Sequence, residues 1–138
     1  MTYKKTKFSF VLAALLCSLT ITAQQTTWEE RGDSCMKAFN LFQALDCYSQ
    51  ALKQQDKPEL RMKIPECHYR RGNYRECIST LQTLQASQLS HKALHQLFYS
   101  YKALGDTENF KQTGKLILGQ YPMDSEILVD LCHEYNLE

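Results

Sequence analysis

The stretch WEERGDSCMKAFNLFQALDCYSQALKQQ, residues 28–55, sets Trp28 and Gly32 four residues apart, then Ala44, Tyr48 and Ala51 at spacings of four and three. Residues at such intervals share one face of a helix. Two antiparallel helices approach closely only where the facing side chains are small. Gly32 on one helix and Ala44 and Ala51 on the other supply that room, while Trp28 and Tyr48 fill the wider gaps beside it. One such pair leaves an apolar face uncovered, so the pattern has to recur if it is to build a domain.

It does recur. GNYRECISTL (72–81) and GDTENFKQTGKLIL (105–118) both open on glycine and a polar turn residue, and Gly72 and Gly105 are 33 residues apart. Another 33 residues back stands Phe39, where FNLFQALDCYSQAL begins at the equivalent place without the glycine. This alignment puts Ala44, Cys77 and Phe110 in one column, Tyr48, Leu81 and Gly114 in the next, and Ala51, Leu84 and Ile117 in a third. A period near 33 in a helical sequence means helix–turn–helix units stacked as a solenoid.

The chain resembles the tetratricopeptide repeat (TPR) family. Trp28, Gly32, Ala44, Tyr48 and Ala51 match the family pattern in the first unit, Gly72 and Tyr74 mark the turn of the second, and Gly105 and Pro122 the turn and end of the third. SEILVDLCHEYNLE (125–138) reads as the first helix of a fourth unit, with Leu128, Leu131, Cys132 and Tyr135 at its core spacings. The resemblance implies an all-α, right-handed helical-repeat solenoid of about three and a half units, about seven helices. Two departures carry expectations. Pro65 lies where the pattern wants a small residue, which predicts a kink or a late helix start. Gly114 replaces an aromatic and should loosen the second helix of its unit.

Residues 1–23 stand apart from the repeat. Lys4, Lys5 and Lys7 precede an apolar run from Phe8 to about Leu19, and Ala23 is a small residue before Gln24. This is the layout of a secretory signal peptide, and the run is shorter than the roughly 20 residues a spanning helix needs. Leu16 stands where a lipobox before Cys17 would have a small residue. The expected organisation is a signal peptide (1–23) followed by one repeat domain (24–138), in a periplasmic or secreted protein. Cleavage would leave 13 basic against 15 acidic side chains. That balance offers no electrostatic footprint for nucleic acid, and no later stretch is apolar enough to span a membrane.

Five cysteines follow the leader, Cys35, Cys47, Cys67, Cys77 and Cys132, an odd number without a CxxC pair. They read as small buried residues, Cys77 and Cys132 at core positions and Cys35 on an inward face, with one bridge between neighbouring helices open. His91 and His95 have the i, i+4 spacing of a metal chelate, but no carboxylate or cysteine lies close by in sequence and HExxH is absent, so both are expected on the surface. No cofactor, metal or catalytic residue is expected.

In stacks of this family the first helix of each unit lines a concave groove. The resemblance therefore implies a partner-binding face of Glu29, Asp33 and Met36, then Met62, Glu66 and Tyr69, then His95, Tyr99 and Lys102, flanked by Lys37, Lys63, Arg70 and Lys92. Its order of charge, acidic, then aromatic, then basic, suits a helix or extended segment of mixed charge. Glu29 and Asp33 stand where the family's clamp for chaperone C-terminal carboxylates would need a cation and an amide, so that activity does not carry over. The functional expectation is an exported protein–protein interaction scaffold for a peptide or protein segment. Two other readings compete: the sensor part of a longer envelope signalling or energy-transducing protein, and a metal- or thiol-dependent hydrolase using His91, His95 and a cysteine.

Overall fold

A computed structural model describes residues 26–136; the expected signal peptide lies outside the described residues. Among them the chain forms seven α-helices and no strand: α1 (Trp28–Lys37), α2 (Leu41–Gln54), α3 (Pro58–Arg70), α4 (Tyr74–Gln82), α5 (His91–Leu104), α6 (Thr107–Gln120) and α7 (Ser125–Asn136). A single 3₁₀ turn, Ala86–Gln88, joins α4 to α5. Each helix packs on its neighbours in sequence, and α3 also touches α5, so successive first helices lie side by side.

Local chemistry starts the helices where the sequence has caps. Thr27 and Glu30 form a reciprocal capping box ahead of α1. The side chains of Asn40, Ser90 and Asp106 accept the backbone N–H three residues on, and Pro58 opens α3. The turns inside the three complete units share one unusual backbone conformation. Phe39, Gly72 and Gly105 have φ of 58°, 74° and 71°. The 33-residue spacing of these residues is thus a spacing of left-handed turns, and Phe39 adopts without glycine what its two counterparts adopt with it.

Two of the three core columns hold, and in the third Ala51 and Ile117 are buried while Leu84, beyond the end of α4, is half-buried. Ala44, Cys77 and Phe110 are buried, as are Tyr48, Leu81 and Gly114. The first helices supply a matching column of Gly32, Pro65, Phe98 and Leu131, 33 residues apart and all buried. The buried side chains fall into two clusters. Ala44, Tyr48, Ala51, Leu60 and Cys67 make the first. The second extends from Cys77 through Leu94, Phe98 and Phe110 to Ile127 and Leu131. α3 takes part in both, with Leu60 and Cys67 in the first and Met62 and Tyr69 packed against the second.

Three expectations are corrected. Of the two outcomes expected at Pro65, the late start is not seen: α3 begins at Pro58 and continues through the buried Pro65. Gly114 does not loosen α6. A Cβ there would lie 2.7 Å from a Leu131 methyl and 2.9 Å from the Phe98 ring, so its bareness lets α7 and α5 close onto α6. In α7 the core phase differs: Ile127 and Leu131 are buried, whereas Leu128, Cys132 and Tyr135 are exposed. By the 33-residue spacing these three continue the columns of the half-buried His95 and Tyr99 and the exposed Lys102.

Candidate partner-binding face

The nine residues of the expected face lie on the first helices α1, α3 and α5. All are half-buried except the exposed Lys102. Their charges are mostly matched across neighbouring first helices. Lys63 Nζ of α3 lies 2.6 Å from Asp33 Oδ1 and 3.2 Å from Glu29 Oε1 of α1, and Lys57 is a further partner of Glu29. Glu66 of α3 meets Lys92 of α5 at 2.7 Å and Arg70 of its own helix at 2.9 Å. Lys102 of α5 meets Asp130 of α7 at 2.7 Å. The acidic start and basic end read along the sequence are therefore largely cancelled in space.

The Asp33 centre is the most elaborated of these pairs. The buried Tyr48 donates its hydroxyl proton to Asp33 Oδ1 at 2.7 Å. Partial desolvation would raise the Asp33 pKa, but the hydrogen bonds from Lys63 and Tyr48 and the charge of Lys63 outweigh it and hold the carboxyl below its usual value. The Tyr48 phenol is pushed up, first by burial and then by Asp33. Gly32 completes the arrangement, because its missing side chain lets the Tyr48 ring lie against the α1 backbone.

The aromatic members sit on the second core cluster. Tyr69 meets Tyr74 edge-on at 5.9 Å. Tyr99 meets Phe98 at 5.0 Å and His95 at 6.1 Å, with Lys102 Nζ 5.8 Å from its ring centre. Burial, followed by the charges of Asp130 and Glu126, raises the Tyr99 phenol to about 12, so it remains a proton donor at neutral pH. His95, Tyr99 and Lys102 thus form one contiguous surface on α5. Met36 borders the first cluster and Met62 the second. Leu128 and Cys132 continue the same columns on α7 and are exposed. The 33-residue spacing could have found them, had the last helix been phased on Leu131 alone.

No family model matches the sequence, and no curated protein matches it. Solved structures do. The first TPR domain of Spaghetti (RPAP3), bound to the HSP90 peptide SRMEEVD, superposes with a TM-score of 0.68 at 19% identity, covering 80% of this chain and 89% of that one. The second TPR domain of human RPAP3, in complex with the HSP70 peptide SGPTIEEVD, gives 0.65 at 18% identity over 78% and 91%. The TPR2AB-domain:pHSP90 complex of yeast Sti1 gives 0.63 at 20% identity over 80% and 46%. The chain has the TPR fold.

Cys67 and Cys77 are buried, and desolvation raises both thiols, Cys67 to about 11. Cys132, expected in the core, is exposed because α7 buries only a narrow stripe. All five described cysteines are free. The group that joins His91 and His95 is instead a carboxylate distant in sequence. Asp124 Oδ2 lies 2.7 Å from His91 Nε2 and 2.5 Å from His95 Nε2. The expectation of two unaccompanied surface histidines is corrected: Asp124, at the start of α7, is brought to them by the turn after α6. Among the described residues no helix is long and apolar enough to cross a membrane.

Proposed function

We propose that the protein is an exported interaction scaffold, not an enzyme, which holds a peptide or protein segment against the first helices of its TPR stack. The carrying observation is the composition of that face. Met62, Tyr69 and Tyr99 are half-buried on a solid core, between ion pairs that satisfy one another. Long apolar and aromatic side chains backed by a packed core are the usual sites of concentrated binding energy. The similar TPR domains carry peptides ending in EEVD, which supports a peptide as the ligand class. The ligand here differs in charge: Glu29 and Asp33 hold Lys57 and Lys63 in ion pairs, which commits those cations and leaves them unavailable to an acidic terminus, so a segment of mixed charge fits better.

The test is selection of peptides from a displayed library on the purified chain, followed by measurement with variants. Tyr69→Ala and Tyr99→Ala should each weaken a selected peptide by about 1–2 kcal/mol without loss of helicity. Peptides ending in EEVD should bind more weakly than the selected ones. Equal affinity of the double variant and the unaltered chain refutes this face as the binding site.

A further inference from the structure

We propose that His91, His95 and Asp124 form a binding site for one divalent transition-metal ion of the zinc class, at the edge of the stack where the turn after α6 returns to α5. The three ligand atoms converge. One nitrogen or oxygen from each residue lies within 4.8 Å of the others. Both imidazole Nε2 atoms point at the same carboxylate oxygen, at 2.7 and 2.5 Å. A tetrahedral ion with metal–ligand distances of about 2.0–2.1 Å holds its ligand atoms about 3.3 Å apart, so a withdrawal of under about 1 Å admits it.

The surroundings hold these groups in place. His91 and His95 are one turn apart on the N-terminal half of α5, which puts both rings on one face. The rings meet edge-on at 4.4 Å, and Tyr121 packs on His91 at 4.1 Å, limiting their rotation. Asp124 divides its two oxygens: Oδ1 accepts the Ile127 N–H at 3.4 Å at the start of α7, while Oδ2 faces the imidazoles. Anchoring the carboxylate through its other oxygen orients the one that would bind the ion. The Asp124 side chain is only 6% exposed, His95 21% and His91 45%, so the centre is shielded on one side and open on the other. The open side is a shallow depression also bordered by Met123 and Glu126.

Two imidazoles and one carboxylate suit zinc, nickel and copper better than magnesium or calcium, which favour all-oxygen shells. Three protein ligands leave a position for water or for a donor from another molecule. An ion there would fasten α5 to the start of α7, which the present hydrogen bonds do only through one shared oxygen. The site is independent of the peptide reading, although His95 belongs to both surfaces.

Titration of the purified chain with Co²⁺, read by visible absorption, and competition with Zn²⁺ test the proposal. One ion per chain should bind, with d–d bands of a nitrogen–oxygen site, and Zn²⁺ should raise the melting temperature. His91→Ala alters a half-exposed side chain, and Asp124→Asn keeps an oxygen for the α7 cap. Each should weaken binding by more than about tenfold and abolish the thermal shift, with helicity retained. The proposal is overturned by absence of saturable binding, by equal binding in both variants, or by a thiolate-to-cobalt charge-transfer band that places the ion on cysteine.

Discussion

Substituting Gly32 by alanine adds one methyl group at the closest crossing in the stack. In an open helix this change stabilises by up to about 1 kcal/mol. Here the new Cβ would lie 2.5 and 2.6 Å from two carbons of the Tyr48 ring, where ordinary contact begins at 3.4 Å. The ring must withdraw by about 1 Å, yet it is 1% exposed and its hydroxyl is tied to Asp33 at 2.7 Å. Overpacking of this kind costs about 1–3 kcal/mol. Weakening the Tyr48–Asp33 bond adds about 1 kcal/mol after allowance for the exposure of Asp33. Setting the helix gain against these leaves a net loss of about 1–3 kcal/mol, a fall in melting temperature of about 4–20 °C. Gly119 is the internal control: it is exposed in α6 with no atom within 4 Å of an added Cβ. Gly119→Ala should stabilise by about 0.5–1 kcal/mol. Thermal and urea melts followed by circular dichroism read both. A Gly32→Ala variant as stable as the unaltered chain would refute the argued crossing of α1 and α2.

Phe39→Gly should raise stability by about 1 kcal/mol in the same melts, because the left-handed turn is strained for phenylalanine and the 75% exposed ring loses little contact. Lys63→Met removes the partner that most lowers the Asp33 pKa; the folded-state value lies below the unfolded one, so the pairing stabilises fully above it and fades as pH falls through the folded value. Its cost, about 1 kcal/mol, should be seen in urea melts above pH ~5 and should shrink towards pH ~2. Export should be visible by mass spectrometry of the protein from its native host as loss of the leader near Ala23. A full-length species in the cytoplasm would overturn this expectation.

The repeat was legible because its signal is local and columnar. The 33-residue spacing of Phe39, Gly72 and Gly105 fixes the turns, and with them the buried columns of α2, α4 and α6. The last helix was misphased because SEILVDLCHEYNLE has apolar residues all round, so periodicity alone does not select Ile127 and Leu131 over Leu128 and Tyr135. The charge order of the face misled for a different reason: Lys63 pairs with residues 30 and 34 positions away, a distance at which sequence neighbourhood carries no information. The same holds for Asp124, 33 and 29 positions from its two histidines. Once the 33-residue spacing is known, however, it brings position 124 back to position 91.

The division of the interior into two clusters gives the molecule two different lifetimes. α1 and α2 are held by the smaller group, around Tyr48, and α3 forms the wall that both groups share. Loss of the first group need not disturb the second, since solenoid units depend only on their neighbours. Amide protons of α1 and α2 should therefore exchange with solvent through a partial opening, and those of α5 and α6, flanked by packed helices on both sides, should be protected longest. The end that opens first also carries Glu29, Asp33 and Met36, so a segment bound across the full face would slow exchange there most of all.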